Sequence, residues 1–305
     1  MTNILITGAT GFLGQGLARS NKFPKARLIG RWFPVEGSAD ILELSDVEDF
    51  SDILKDVDVI IHLAGLAHLV ESEDTKMHGL YKRVNTELTL RLATQAANAG
   101  VKRFIYLSTI KVLGEYNVHD MPFRHTDPLA PSSPYAVSKA AAESGLKNIC
   151  LSSNMEFVIV RPPLIYGRNV KGNFRRLISL CKKKVILPFG LFTERRSYIS
   201  LKNIISVIHE CSTNPKAANE TFLVSDGVDK SIVDIITHIR NAGYRTVKLV
   251  KVPVSIMYLI FILIGKKKIY AQLNKQSISD ISHTVNSLNW HPSNEMENEI
   301  FECLE

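Results

Sequence analysis

Five short apolar runs punctuate the first half of the chain: Ile4-Leu5-Ile6, Arg27-Leu28-Ile29, Val57 to Ile61, Phe104 to Leu107 and Phe157 to Val160. Each is nearly continuous rather than alternating, as expected of strands buried on both faces of a parallel sheet. Helical stretches lie between them, among them Tyr81 to Ala99, which stops at Gly100, and Ala136 to Leu151. Strand and helix in alternation predict the α/β class, with a doubly wound parallel sheet. After Arg161 the texture changes: Pro188, Pro215, Pro253 and Pro292, with Gly167, Gly172 and Gly190, break the chain into short elements. The expected organisation is therefore a sheet domain over residues 1–163. A smaller mixed α/β domain follows over residues 164–305, some segments of which return to the sheet.

One run stands apart. Val254 to Ile264, VSIMYLIFILI, is apolar throughout, but its eleven residues fall short of the roughly 18 to 20 that span a bilayer. Pro253 before it, and Gly265 with Lys266 to Lys268 after it, frame a helix with cations at its negative dipole end. The expectation is a buried helix of the second domain. The alternative is a peripheral membrane contact over residues 254–268, with the lysines facing anionic headgroups.

Composition narrows the partners. With 305 residues, 45% hydrophobic and 22% charged, the chain can bury a substantial core and is not of a disordered type. Its net charge of +7 points weakly to anionic ligands. Nucleic acid is not expected, because Lys and Arg are scattered and no basic helix carries interleaved aromatics. Cys150, Cys181, Cys211 and Cys303 are widely spaced, with no CxxC and no metal-ligand spacing. No metal is expected. Met1 leads directly into a strand with no signal peptide, so a reduced, cytoplasmic setting is expected.

The first strand runs into Gly8, Gly11 and Gly14 and then a helix. Side chains in such a turn would block the bend, the approach of a pyrophosphate to backbone, and the packing of helix on strand. The helix start then offers free N–H groups and a positive dipole end to phosphates. This predicts a dinucleotide site. Where an NAD site usually carries an acid at the end of the second strand, this chain has Gly30 followed by Arg31. Room and positive charge there suit a 2′-phosphate, so NADP is favoured over NAD. Tyr135 and Lys139, one helical turn apart, could move a proton beside the nicotinamide.

These residues carry a family likeness. In chain order stand TGATGFLG at 7–14, Asp40-Ile41, HLAG at 62–65, VN at 84–85, LSTIKVLGE at 107–115, YAVSK at 135–139, RPPLIYG at 161–167 and LNWHP at 288–292. With them the chain resembles the extended short-chain dehydrogenase/reductases, in particular the nucleotide-sugar epimerase/dehydratases, with a Rossmann sheet for NAD(P). The resemblance implies that Thr109, Tyr135 and Lys139 are catalytic and that Asn85 organises the site. It implies cofactor contacts from Gly8, Gly11, Phe12, Leu13, Gly14, Arg31, Asp40, Ile41, Leu63, Ala64, Gly65 and Pro162, besides Tyr135 and Lys139. It implies substrate contacts from Ser108, Lys111, Asn173 and Arg196, the last two at the nucleotide diphosphate. A UDP-sugar substrate and a homodimer are the corresponding expectations.

A tyrosine is a poor base at neutral pH, and a lysine cation a turn away would stabilise its phenolate. His62, His68 and His125 are alternative bases; His62 is expected to be packed and structural, and the others to lie in loops. Dehydratases of the family carry Asp-Glu after the catalytic Thr, but here Ile110 and Lys111 stand there, so elimination is not expected. Two reactions remain. The run STIKVLGE, with RPPLIYG and ERRSYIS, is similar to enzymes that reduce a UDP-4-keto-6-deoxy-N-acetylhexosamine for bacterial surface polysaccharide, and this reductase is favoured. Gly30-Arg31 and Leu164 lean the same way. The alternative is a UDP-glucose or UDP-N-acetylglucosamine 4-epimerase. A non-catalytic NAD(P)-sensing protein is disfavoured, because Thr109, Tyr135 and Lys139 are all present.

Overall fold

A computed structural model describes residues 2–34, 41–67, 75–118, 121–183, 185–243, 247–293 and 296–304. The chain starts with β1 (Ile4–Thr7), α1 (Phe12–Arg19), β2 (Arg27–Ile29), an antiparallel pair β3 (Trp32–Pro34) and β4 (Ile41–Glu43), then α2 (Ser51–Leu54) and β5 (Val59–His62). It continues with α3 (Thr75–Tyr81), α4 (Leu88–Asn98), β6 (Arg103–Leu107), α5 (Pro134–Leu151) and β7 (Glu156–Arg161). Then follow β8 (Leu164–Tyr166), α6 (Gly172–Cys181), β9 (Ile186–Leu187), β10 (Tyr198–Ser200), α7 (Leu201–Thr213) and β11 (Glu220–Leu223). The last elements are α8 (Ile232–Asn241), β12 (Lys248–Leu249), α9 (Val254–Leu263), α10 (Lys267–Leu273), α11 (Ser282–Leu288) and α12 (Met296–Leu304).

Six strands form one sheet in the order β2-β1-β5-β6-β7-β11, and every pairing is parallel. The continuous apolar runs are explained by burial on both faces. Along β5, Ile60 packs with Leu5, Phe104 and Ile159 on one face, together with Leu88 and Leu92 of α4 and Leu146 of α5. Its neighbours Val59 and Ile61 turn to the other face with Ile6, Ile105 and Val158, against Leu17 of α1 and Ile204 and Ile208 of α7. Successive strand residues thus alternate between two cores. Strand order reverses between β1 and β5, and ligands of such sheets bind outside the carboxyl ends at that point. The fold is α/β and Rossmann-like. β11, although late in the chain, is hydrogen-bonded beside β7 in this sheet.

The helix from Tyr81 to Ala99 is not uniform: residues Lys82–Glu87 form a π-helical turn between α3 and α4. Such insertions often mark functional positions, and this one holds Asn85. The expectation of a buried helix at 254–264 needs correction. Only Met257 and Phe261 of α9 are buried, whereas Leu259 is 59% exposed and Leu263 is 84% exposed. Among the described residues no helix is long and apolar enough to cross a membrane. All four cysteines are free.

Candidate active site

The glycine turn sits at the reversal of strand order. Gly8 has φ of +74°, the left-handed region that glycine adopts without strain. A Cβ there would lie 2.6 Å from the backbone N of Ala64, and one on Gly14 would lie 2.2 Å from the carbonyl of Gly8. The β1–α1 turn is therefore pressed against both the end of β5 and the first turn of α1. Gly11 caps α1 with no side-chain hydrogen bond, and the first turn carries no acid. Its N–H groups and dipole are left to an anion. Leu13 is buried beneath this turn and Phe12 packs partly into the neighbouring core.

Arg31 lies just before β3, and its guanidinium donates to Glu43 Oε1 at 2.8 Å. An acid thus stands beside the cation expected to receive a 2′-phosphate, a pairing twelve residues long that local sequence does not disclose. Ile41 opens β4. Asp40 and His68 lie outside the described residues.

Thr109 is fixed by backbone. Ser108 N–H donates to Val160 O at 2.8 Å and Ile110 N–H to Pro162 O at 2.9 Å, which extends the β6–β7 ladder past the strand end. Between these bonds the Thr109 hydroxyl accepts from Lys111 N–H at 3.3 Å and stands near enough to the Tyr135 phenol to lower its pKa. Ser133 caps α5 and Pro134 occupies its first turn, so Tyr135 stands at the positive end of the helix, where negative charge is favoured. The phenol is half-buried. Burial pushes its pKa up to about 12, opposed by the nearby Thr109 side chain, and the neighbouring Tyr81, with ring centroids 5.9 Å apart, adds to the rise.

Lys139 follows one turn later and is buried. Its ammonium donates to Leu107 O at 2.9 Å and lies 4.6 Å from the centroid of the Tyr106 ring. Burial lowers its pKa to about 8, with Glu143 pulling the other way. Desolvation is the largest influence on both groups, and in the free protein the ammonium is turned to the Leu107 carbonyl. Glu143 in turn forms a buried bidentate pair with Arg161, at 3.0 Å and 2.6 Å.

Asn85 is buried and fully engaged. Its Nδ2 donates to Leu66 O and Ser138 Oγ, and its Oδ1 accepts from Leu66 N–H at 2.7 Å. It ties the chain after β5 to α5. A Cβ on Gly65 would lie 3.0 Å from Asn85 Oδ1 and 3.2 Å from Lys139 Nζ, so Gly65, Asn85 and Lys139 meet at one point. Beneath them runs a polar chain that sequence reasoning missed apart from His62. Thr7 Oγ1 lies 2.7 Å from His62 Nδ1, His62 Nε2 lies 2.9 Å from Thr89 Oγ1, and Thr89 donates to Asn85 O. Because the Thr89 proton is committed to a carbonyl, Nε2 is the protonated ring nitrogen and Nδ1 accepts from Thr7. Burial lowers the His62 pKa to about 3, so it is a neutral spacer and no base.

The remaining expected residues divide. Leu63, Ala64 and Pro162 line the carboxyl ends of β5 and β7. Ser108 Oγ is buried without a hydrogen-bond partner, as a group awaiting a ligand would be. Lys111 pairs with Glu115 at 3.3 Å, and Ile110 is apolar and buried; neither supplies an acid beside Tyr135. Asn173 is exposed in the first turn of α6. Arg196 donates to Gln272 O and Lys275 O at 3.0 and 3.2 Å, so its charge serves to hold the end of α10. His125 stacks on His283 at 3.8 Å, and no contact joins it to Tyr135. Among the described residues no cluster of His, Cys, Asp and Glu could hold a metal.

A parallel sheet with a glycine turn at its reversal point, and a Thr–Tyr–Lys cluster at the neighbouring strand ends, define an NAD(P)-dependent enzyme acting on a nucleotide sugar. The chain belongs to the NAD dependent epimerase/dehydratase family, whose model matches residues 4–225. It is 38% identical over 297 residues to a UDP-glucose 4-epimerase of Vibrio cholerae, covering 95% of this chain and 90% of that protein. In fold it is similar to a UDP-glucuronic acid 4-epimerase of Bacillus cereus solved with NAD, with TM-score 0.78 and 20% identity over 99% of this chain and 95% of that one. It is also similar to the RMD protein of Pseudomonas aeruginosa solved with NADPH, with TM-score 0.74 and 20% identity over 100% of this chain and 98% of that one.

Proposed function

We propose that the protein is a UDP-hexose or UDP-N-acetylhexosamine 4-epimerase that retains NAD through the catalytic cycle. The observation that carries this reading is Tyr135 at the start of α5, with Thr109 near enough to lower its pKa and buried Lys139 one turn on, in a site with no acid at 110 or 111. It suits the exchange of one proton and one hydride at a single carbon, without loss of a hydroxyl. The likeness to the Vibrio cholerae UDP-glucose 4-epimerase along nearly the whole chain supports it.

The glycine turn and the uncapped start of α1 fit a dinucleotide pyrophosphate. Gly65, Lys139 and Pro162 fit its nicotinamide end. When bound, the nicotinamide supplies reversible hydride acceptance. The Tyr135 phenolate would take the proton of the sugar 4-hydroxyl as the C4 hydrogen leaves as hydride, and the phenol would return it to the 4-oxygen as hydride comes back to the other face of C4. Thr109 holds that same oxygen and the phenolate in line. Lys139, freed from Leu107 O by a ligand, brings positive charge toward the phenolate. Substrate choice resides in residues 164–305, with Asn173 and Arg196 as candidate nucleotide contacts, and the enzyme works as a cytoplasmic homodimer.

The reductase of a UDP-4-keto-6-deoxy-N-acetylhexosamine is the second reading, favoured by Gly30-Arg31 in place of the usual acid and by Leu164. Against it stands the Arg31–Glu43 pair, which sets a carboxylate beside the cation expected to receive a 2′-phosphate and so favours NAD, the cofactor suited to retention. Anaerobic incubation with UDP-glucose, UDP-N-acetylglucosamine and the UDP-4-ketosugar, followed at 340 nm and by product analysis, separates the two. Epimer formation with no net absorbance change is expected. Stoichiometric NAD(P)H consumption with the ketosugar alone would replace the epimerase by the reductase.

A further inference from the structure

We infer that α9 is a lipid-seated helix that docks the enzyme on an anionic membrane surface. A helix that is apolar on every side is normally enclosed by protein, yet α9 is covered along one stripe only. Met257 and Phe261, one turn apart, pack on Phe192 with Tyr270 and Leu273 of α10. Ile256, Leu259, Ile260, Ile262, Leu263 and Ile264 are all exposed. Six exposed apolar residues along one helix mark an interaction surface.

Charge selects the occupant. Residues 235–279 contain eight Lys and Arg and no Asp or Glu, against a net charge of +7 for the whole chain. Lys and Arg occur all along the sequence, but their excess over acid is concentrated here. The helix ends at Gly265, with φ of +69°, and Lys266 N–H returns to Phe261 O at 2.7 Å. This left-handed closure sets Lys266 and Lys267 directly beyond the apolar end, and Lys251 precedes its start; all three are exposed. Two copies meeting through α9 would set these acid-free basic segments against each other. An anionic bilayer satisfies both the apolar face and the lysines. With ten residues the helix is about 15 Å long, so it lies in the interface and does not cross.

The test uses the full chain and vesicle flotation, and stands apart from the catalytic reading because no residue of the Thr109–Tyr135–Lys139 cluster is altered. The protein is expected to float with phosphatidylcholine–phosphatidylglycerol vesicles and far less with phosphatidylcholine alone. Leu259→Glu with Leu263→Glu should lower the floated fraction by about tenfold or more. Lys266→Glu with Lys267→Glu should abolish the preference for phosphatidylglycerol while leaving the fold, read by thermal melting and cofactor binding, unchanged. No flotation of the parent protein, equal flotation of the leucine variant, or efficient Leu263→Cys cross-linking between copies without lipid would overturn the inference.

Discussion

Arg31 and Glu43 are paired at 2.8 Å beside the β3–β4 ribbon, so the cation next to the second strand stands beside an acid twelve residues later. The carboxylate is the more covered partner. A 2′-phosphate entering beside it would meet a negative charge, whereas a 2′-hydroxyl would meet an acceptor. Glu43→Gln should remove the carboxylate beside Arg31 and raise the affinity for NADP relative to NAD by about tenfold, the size of one charge-assisted contact. Arg31→Ala should leave NAD binding within about twofold, because an exposed ion pair contributes little. Titration of both cofactors by nicotinamide fluorescence checks both; an unchanged ratio in Glu43→Gln would remove the basis for preferring NAD.

Thr109 and Tyr135, neighbours at the strand ends, separate binding from chemistry. Tyr135→Phe removes only the hydroxyl and keeps the ring near Tyr81, so the fold and cofactor affinity should persist. Turnover should fall by about 10² to 10⁴, the range for a lost acid–base group. Thr109→Ala should cost a smaller factor, and the double variant should be little worse than Tyr135→Phe, because the two act as a unit. Steady-state rates with cofactor affinity measured in parallel decide this. A Tyr135→Phe enzyme of normal turnover would end the catalytic assignment.

Gly14 tests the cradle. Its hypothetical Cβ falls 2.2 Å from Gly8 O and 2.6 Å from Ala9 Cα, all backbone, which cannot swing aside. Gly14→Ala should therefore displace the turn, destabilise the protein by about 1–3 kcal/mol and abolish cofactor binding at ordinary concentrations. Gly79→Ala, inside α3 with open space around it, is the control and should leave cofactor binding unchanged while stabilising the protein by up to about 1 kcal/mol. Thermal melts and cofactor titration of the pair give the comparison.

Much of this architecture was legible because its causes are local. Five strands announce themselves as continuous apolar runs, since each is covered on both faces, and Gly8 and Gly14 stand where any Cβ would collide. What escaped has causes distant in sequence. The π-turn that carries Asn85 has no compositional mark, because its meaning lies in bonds to Leu66 and Ser138. The partner of Lys139 is a carbonyl on β6, and that of Arg31 is an acid on β4. α9 was expected to be buried because it is apolar, but composition says that a side chain needs cover and not whether protein supplies it.

Lys139 links cofactor affinity to pH. Its pKa is lowered to about 8 by burial, so in the free enzyme the ammonium is lost as pH rises through that value. A charged donor binds more strongly than a neutral amine. NAD affinity should therefore be flat below about pH 7 and fall several-fold between pH 7 and 9. Lys139→Arg, charged throughout, should bind more weakly at neutral pH but lose this step. Calorimetric titration across that range checks the prediction, and an equal decline in Lys139→Arg would assign it to another group.

His62 should make the fold acid-sensitive without touching catalysis near neutrality. Its folded pKa is lowered from 6.5 to about 3, chiefly by burial and further by Lys139. Between those values the unfolded chain binds a proton that the folded chain refuses, so stability rises with pH through this window. The contribution is fully present above about pH 6.5 and is lost progressively as pH falls toward 3. At pH 4 the loss amounts to about 3 kcal/mol. His62→Phe should be less stable than the parent at pH 7, because Thr7 and Thr89 lose their ring partner. The drop in its melting temperature from pH 7 to pH 4 should nevertheless be smaller, since no imidazole remains to titrate. Parallel thermal melts at the two pH values measure the difference, and identical drops would show that His62 carries no share of the acid sensitivity.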